Sequence, residues 1–147
     1  MNKKSNKQLA KEIINREIAA LRRTTKLLDS KFERACEAIL SNKGKVITLG
    51  VGKSSFIAMK MAATLSSTGT AALFLHPLDA LHGDVGVIKK NDVVIIYSNS
   101  GETQEVIKLL PLLKLLKCCI ISITGNLSST LARYSKISLD ASVTREA

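Results

Sequence analysis

Residues 92–103 read DVVIIYSNSGET, in which five apolar residues run into three hydroxyl side chains around a glycine. The apolar run is continuous rather than alternating, which is typical of a strand buried on both faces of a parallel sheet. Ligands collect beyond the carboxyl ends of such strands. Ser98, Ser100 and Thr103 fall there, where a helix begins and backbone N–H groups are free. We expect this segment to bind a phosphate monoester; the alternative is that the hydroxyls only cap the helix.

Strands and helices alternate on both sides of this segment. Apolar periodicity predicts N-terminal helices over residues 7–41 and then a strand–helix alternation from residue 45. The pattern predicts an α/β fold with three layers, α/β/α, around a roughly five-stranded parallel sheet. The predicted strands cover 45–49, 71–75, 92–97, 118–124 and 137–139, and the predicted helices cover 53–67, 104–116 and 129–134.

Composition limits the class of protein. The 147 residues are 46% hydrophobic and 23% charged, which suits one globular domain, and no apolar run is long enough to predict a membrane span or a signal peptide. Three cysteines, two of them adjacent, do not form a disulfide framework, so we expect free thiols in a reducing cytoplasm. The net charge is +10, but no Trp and few Tyr or Phe are present for base stacking. We therefore interpret the basic residues as a solvated helix face and expect no nucleic-acid partner.

The loop after the first predicted strand resembles a nucleotide-binding loop but departs from both known patterns. Residues 46–55 read VITLGVGKSS; the Walker pattern needs glycine where Ile47 stands, and the dinucleotide pattern needs a third glycine where Ser55 stands. Lys53 falls in the first turn of the next helix, where the unfavourable interaction of a cation with the helix dipole costs about 0.3–1 kcal/mol of stability. A lysine in that position favours a nearby phosphate or sugar oxygen; the alternative is an exposed lysine in solvent.

Acids and histidines follow the other strands. Glu102 and Glu105 lie three residues apart in the first helical turn, where acids complement the dipole without any catalytic role. A bound phosphate nearby would raise the pKa of a carboxylate towards that of a working base. His76 and His82 lie six residues apart and match no standard zinc spacing, so a structural role is their simpler interpretation.

Five motifs together carry a resemblance to a known family. In order they are GVGKSS (50–55), KMAATLSSTGT (60–70), FLHPLDALHGDVGVI (74–88), SNSGETQE (98–105) and ITGN (123–126). From about residue 10 to the C-terminus, the chain resembles the sugar isomerase (SIS) domain, and specifically the arabinose 5-phosphate isomerases. The resemblance implies a flavodoxin-like SIS fold. It also implies an aldose–ketose isomerase that interconverts D-ribulose 5-phosphate and D-arabinose 5-phosphate through an enediolate, in the pathway to the Kdo sugar of lipopolysaccharide.

The resemblance also implies roles for individual residues. No cofactor is required in the family, but a zinc ion can bind and inhibit, here at His76. The catalytic positions are Lys53, Glu105 and Glu146, and the substrate-binding positions are Ser54, Gly69, Thr70, His76, His82, Ser98, Ser100 and Thr103. Either glutamate moves the proton between C1 and C2, while Lys53 stabilises the enediolate oxygen.

The resemblance finally predicts the organisation of the chain. Residues 1–44 form a helical segment that packs on a SIS domain of residues 45–147. Family members continue past the TREA segment to an HPGG motif with a catalytic histidine, and most then carry a pair of CBS domains; we expect this chain to be incomplete in that respect. Two alternatives stay open: a sugar-phosphate sensor without turnover, and an isomerase of another sugar phosphate. We expect a cytoplasmic homo-oligomer with no membrane partner.

Overall fold

The computed structural model describes residues 4–143. The chain divides into two units, one around helix α1 (Asn6–Leu27) and one that spans Ser30–Ser142. Helix α1 begins with a capping box. The Ser5 hydroxyl accepts a hydrogen bond from the backbone N–H of Gln8, and the Gln8 side chain accepts one from the backbone N–H of Ser5. None of the helices among the described residues is both long enough and apolar enough to cross a membrane.

The second unit is built on a parallel sheet whose strand order is β2-β1-β3-β4-β5. This is the flavodoxin-like order, and it confirms the predicted five-stranded α/β fold. The elements are α2 (Ser30–Leu40), β1 (Val46–Gly50), α3 (Lys53–Ser67), β2 (Ala72–Phe74), α4 (Pro77–Leu81), a 3-10 turn (Asp84–Val87), β3 (Val93–Tyr97), α5 (Gln104–Leu116), β4 (Cys119–Thr124), α6 (Thr130–Tyr134) and β5 (Ile137–Asp140).

Alternate residues of the buried strands face two separate helical layers. On one face, Ile47 and Ile96 belong to a core with Leu109 of α5, and on the other, Val46 and Ile95 belong to a core with residues of α2 and α3. Both faces of the sheet are therefore covered, as continuous apolar strands require. The chain visits β2 on one side of β1 and then β3 on the other side. This reversal opens a crevice beyond the carboxyl ends of β1 and β3, where doubly wound sheets bind ligands.

A buried carboxylate joins β1 and β3 at the opposite, amino edge of the sheet. Asp92 is only 2% exposed, and it accepts hydrogen bonds from the Lys45 backbone N–H (2.9 Å), the Lys45 ammonium (2.8 Å) and the Lys89 backbone N–H (2.7 Å). Burial alone raises the pKa of Asp92, but these donors outweigh it and hold the pKa below its ordinary value. The pair fixes the start of β3, from which the strand runs to the carboxyl edge.

Candidate functional site

The loops that follow β1, β3 and β4 leave the sheet side by side. Gly50 of β1 pairs with Tyr97 of β3, and Tyr97 pairs with Ile123 of β4. The two loops with the most polar sequences, after β1 and after β3, therefore flank the crevice where the strand order reverses. The sequence-based prediction of a site at this edge depends on that adjacency.

The loop of residues 98–103, which we call the cradle loop, brings two of the three predicted hydroxyls together. The hydroxyl oxygens of Ser98 and Thr103 lie 2.8 Å apart, and the Ser98 hydroxyl also accepts from the backbone N–H of Gly101 at 3.1 Å. Ser98 is buried and Thr103 is half-buried, so the pair braces the loop from inside. Ser100 is exposed and its hydroxyl accepts from the backbone N–H of Glu102 at 3.1 Å.

The cradle loop leaves the first turn of α5 uncapped. Thr103 occupies the N-cap position, yet its side chain makes no capping hydrogen bond, because its hydroxyl lies against Ser98. The first backbone N–H groups of this 13-residue helix are thus available to an anion, and the helix dipole favours negative charge there. Capping, the alternative role of the hydroxyls, is not what Thr103 does.

Helix α3 also begins without a side-chain cap at the same edge of the sheet. Its N-cap is Gly52, which has φ of 58° and no side chain to offer. By contrast, α1, α4 and α6 begin with side-chain caps from Ser5, His76 and Ser129. The two helices that follow β1 and β3 therefore have N-termini that their own N-cap side chains leave unsatisfied. Two such N-termini beside one crevice form a suitable environment for a phosphate.

Lys53 is the first residue of α3 and lies at this edge as predicted from the sequence. It is exposed, and among residues 4–143 its ammonium group has no ion-pair or hydrogen-bond partner. The loop before it is tight, because a Cβ on Gly50 would lie 2.7 Å from the carbonyl oxygen of Ser54. Ser54 itself is half-buried in the first turn. A ligand that binds Lys53 would therefore not have to displace an ion-pair partner among the described residues.

The two glutamates that precede and begin α5 have different surroundings. The Glu102 carboxylate accepts a hydrogen bond of 2.6 Å from the backbone N–H of Thr130. Glu105 is half-buried in the first turn of α5 and has no hydrogen-bond or ion-pair partner among residues 4–143. Of the two carboxylates, only that of Glu102 is engaged by another described residue. Glu146, the third predicted catalytic residue, lies outside the described residues.

His76 and His82 lie at the two ends of α4. His76 is its N-cap, and its Nδ1 accepts a hydrogen bond of 3.2 Å from the backbone N–H of Leu78. Because Nδ1 is the acceptor, Nε2 carries the proton of the neutral ring and is a donor. Among residues 4–143, no group of three or more His, Cys, Asp or Glu side chains could hold a metal ion.

Gly69 and Thr70 lie in a different place from the other predicted site residues. They occupy the turn between α3 and β2, at the amino edge of the sheet, where the next residue's carbonyl accepts a hydrogen bond from the backbone N–H of Val46. The 15 residues of α3 separate them from the loop that carries Lys53, a distance of about 22 Å at 1.5 Å per residue. Within one chain, the structure does not bring them to the crevice.

Comparisons with known proteins agree with this geometry. The family model of the SIS domain matches residues 39–147. The chain belongs to the SIS domain family. The arabinose 5-phosphate isomerase KdsD of Pseudomonas aeruginosa is 53% identical over 116 residues, which are 79% of this chain and 36% of that protein. KdsD of Francisella tularensis is 50% identical over 141 residues, 94% of this chain and 43% of that protein.

A solved structure supports the same assignment. The E. coli CFT073 protein c3406, in complex with arabinose 5-phosphate, is 40% identical and superposes with a TM-score of 0.84, covering 97% of this chain and 78% of that chain. The SIS family and its fold are thereby confirmed for this chain. The chain spans about two-fifths of the length of the two curated relatives named above.

The SIS domain has a feature that sequence reasoning missed: a turn after β4 that is hydrogen-bonded to the cradle loop. We call residues 124–131 the backing turn. Its Gly125 N–H donates to the carbonyl of Asn99 at 2.9 Å, and its Leu131 N–H donates to the carbonyl of Gly101 at 3.1 Å. A Cβ on Gly101 would lie 2.0 Å from the hydroxyl of Ser129. The ITGN motif was the available signal, but nothing in the sequence indicates which loop it contacts.

The amino edge of the SIS domain also carries a groove, of about 610 Å³. Its thiols are poor nucleophiles, because burial raises the pKa of Cys118 to about 11 and raises that of Cys119 as well. Its one carboxylate, Asp92, already accepts hydrogen bonds from Lys45 and Lys89. Among the described residues that line it, the groove therefore has no unpaired carboxylate comparable to Glu105. Its other lining residues are Ala38, Ser41, Asn42, Lys43, Lys90, Asn91, Val93, Lys117 and Lys136.

Proposed function

We propose that this chain is the SIS core of an arabinose 5-phosphate isomerase, which interconverts D-ribulose 5-phosphate and D-arabinose 5-phosphate. The observation that carries the proposal is the uncapped start of α5 behind the Ser98–Thr103 hydroxyl pair, beside the loop that presents Lys53. That arrangement suits a phosphorylated ligand with a reactive carbonyl group. The identity to proteins named arabinose 5-phosphate isomerase supports the choice of sugar.

In the proposed reaction, a base removes a proton from C2 of the aldose and returns it to C1, while a hydroxyl proton moves from O2 to O1. The intermediate is an enediolate, whose negative oxygen needs a cation or hydrogen-bond donors. Lys53 supplies that cation, since its ammonium group is unpaired among the described residues. Glu105 is the described residue best suited as the base, and Glu146 remains the alternative. Nε2 of His76 is a donor that can bind a sugar hydroxyl.

The test is a coupled isomerase assay on the complete gene product with arabinose 5-phosphate. We expect Lys53→Met and Glu105→Gln each to lower kcat by about 10²–10⁴-fold, the range for one acid–base or electrostatic group. Lys60→Met, on the exposed surface of α3, is the matched control and keeps full activity. A Glu105→Gln variant with unchanged kcat would remove Glu105 from the role of base and leave Glu146 as the candidate.

The two alternative functions, a sugar-phosphate sensor and an isomerase of another sugar phosphate, predict different results for the same protein preparation. A sugar-phosphate sensor would bind arabinose 5-phosphate in calorimetry without turning it over. An isomerase of another sugar phosphate would be faster on a hexulose phosphate than on a pentose phosphate in a substrate panel. Unphosphorylated arabinose is the common control, because all three functions need the phosphate and predict no binding without it.

We also propose a homo-oligomer in the cytoplasm. If Gly69 and Thr70 contact a substrate, as the family resemblance implies, it is the substrate of a neighbouring subunit, since within one chain they lie at the other edge of the sheet. Sedimentation with and without arabinose 5-phosphate tests the assembly, and subunit-mixing experiments test the shared site. Mixing Lys53→Met chains with Thr70→Val chains restores part of the activity only if the two residues act on one substrate from different subunits.

Zinc binding at His76 is a separate proposal. A zinc ion at Nε2 would require the proton to move to Nδ1, which breaks the hydrogen bond from Leu78. Zinc inhibition of the isomerase that disappears in His76→Gln would support the site, and inhibition that persists would place the ion elsewhere.

A further inference from the structure

Glu102 lies in the cradle loop but is bound to another part of the chain. Its carboxylate oxygen accepts a 2.6 Å hydrogen bond from the backbone N–H of Thr130, 28 residues away. Thr130 is the first residue of α6, so its N–H has no acceptor within the helix. A carboxylate is a favourable partner at that position, because a charged acceptor makes a strong hydrogen bond to an otherwise unsatisfied N–H.

This bond is one of several that hold the cradle loop against the backing turn. The Asn99 carbonyl accepts from the Gly125 N–H at 2.9 Å and from the Thr124 hydroxyl at 3.3 Å. The Gly101 carbonyl accepts from the Leu131 N–H at 3.1 Å. In all of these, the cradle loop contributes a backbone carbonyl. Only the bond from Glu102 uses a side chain of the cradle loop, so only it can be removed there without changing the backbone.

The position of this bond determines what it can influence. Glu102 directly precedes Thr103, whose hydroxyl group lies against Ser98. Because the Thr103 side chain therefore makes no capping hydrogen bond, the first N–H groups of α5 stay free. A phosphate binds these groups most tightly when they are already arranged, since ordering a loop on binding subtracts from affinity. Holding Glu102 at the start of α6 keeps the loop in that arrangement before the ligand arrives.

We propose that Glu102 is a positioning residue, which locks the cradle loop onto the backing turn through the Thr130 N–H and does not exchange protons with the sugar. This inference rests on the proposed function of the cradle loop as a phosphate site. It gives the two glutamates of SNSGETQE different roles: Glu102 holds the loop, and Glu105 is the candidate base of the proposed reaction.

The test compares Glu102→Ala with Glu102→Gln in the complete gene product. The glutamine oxygen can accept the same hydrogen bond, whereas alanine cannot. We expect Glu102→Ala to weaken binding of inorganic phosphate and to raise KM for arabinose 5-phosphate about tenfold, equivalent to about 1.4 kcal/mol, with kcat within twofold. Glu102→Gln should stay within threefold of the parent. Glu33→Ala, an exposed first-turn acid of α2, is the matched control and should match the parent.

A variant on the other side of the bond completes the design. Thr130→Pro removes the N–H donor at the first helical position, which accepts proline, and Ser129 before it already has extended φ and ψ of −68° and 163°. We expect this variant to raise KM as Glu102→Ala does, and the double variant to be no worse than either single one. Additive losses would show that Glu102 acts elsewhere, and the proposal would fail.

The remaining outcomes separate this inference from the proposed function. If Glu102→Ala and Glu102→Gln both lower kcat severely, the residue acts through its charge or proton and the positioning role is wrong. If the parent binds phosphate but does not turn over arabinose 5-phosphate, the isomerase proposal fails while the phosphate affinities still test Glu102. Hydrogen exchange at the Thr130 and Leu131 amides is a readout without ligand: it should become faster in Glu102→Ala, and unchanged exchange would overturn the proposal.

Discussion

Replacing Gly101 with alanine should strongly destabilise the cradle loop. Gly101 has φ of 66°, and its added Cβ would lie 2.0 Å from the hydroxyl oxygen and 2.4 Å from the Cβ of Ser129. Ser129 is 1% exposed and its hydroxyl caps α6 by accepting from the Ala132 N–H at 3.3 Å. The methyl group therefore meets a side chain that is buried and hydrogen-bonded.

The expected cost is a sum of three contributions. A left-handed conformation costs an alanine about 1–2 kcal/mol relative to glycine. Overpacking against a buried side chain costs about 1–3 kcal/mol, and loss of the Ser129 cap costs about 1 kcal/mol. Gly101→Ala should thus lower the free energy of unfolding by about 3–6 kcal/mol. Gly69→Ala is the control for strain alone, because Gly69 has φ of 92° and nothing lies within 4 Å of its Cβ position.

A second substitution tests the steric reasoning directly. Ser129→Gly removes both atoms that the new Cβ would meet, and glycine at an N-cap costs only a few tenths of a kcal/mol. In urea unfolding, Gly101→Ala/Ser129→Gly should recover about 2 kcal/mol or more of the loss caused by Gly101→Ala alone. If the two changes add, or if Gly101→Ala is no worse than Gly69→Ala, the close packing of the two loops is not the source of the cost.

Three further predictions concern other parts of the SIS domain. Asp92→Asn should lower the free energy of unfolding by about 2–3 kcal/mol at pH 7. The pKa of Asp92 in the folded protein is below its ordinary value of about 3.9, so the stabilisation by the carboxylate is complete above that value. Urea titrations of the parent and the variant should therefore converge as the pH falls through the folded pKa. Lys45→Met should behave similarly, but with a smaller loss, since it leaves the backbone donors to Asp92 in place. Cys118, with a pKa of about 11, should react with a disulfide reagent at pH 8 about a hundredfold more slowly than a free cysteine, and at the free rate once urea unfolds the chain. Gly50→Ala should lower kcat/KM by about a hundredfold without changing the circular dichroism spectrum. The added Cβ would lie 2.7 Å from the Ser54 carbonyl oxygen and would displace the first turn of α3.

Periodicity located the elements because each has a simple pattern. The strand predicted at 92–97 is Val93–Tyr97, since five apolar residues in a row are the expected sequence of a strand covered on both faces. Its first predicted residue, Asp92, is outside the strand and braces the amino edge instead. Helix α3 begins and ends at the predicted residues, because Gly52 before it and Gly69 after it both have positive φ, which is incompatible with a continuing α-helix.

The placement of Gly69 and Thr70 could have been obtained from the same pattern. In a strand–helix–strand unit, the helix carries the chain from the carboxyl edge back to the amino edge, so a turn that precedes a strand lies away from the site. A predicted helix over residues 53–67 already puts about 22 Å between its two ends. The family resemblance places both residues near a substrate, and the two statements agree only if subunits share the site.

The contacts of the individual hydroxyls and acids, in contrast, could not be obtained from sequence, since they depend on the local turn of the backbone and on a residue far away in the chain. Three hydroxyls within six residues predict a polar loop, but only the turn at Gly101 decides that Ser98 and Thr103 meet while Ser100 bonds to the next N–H group. Spacing alone makes Glu102 and Glu105 equivalent, three apart at the start of one helix. What distinguishes them is the N–H of Thr130, 28 residues away, which binds the carboxylate of Glu102, while Glu105 has no partner among residues 4–143.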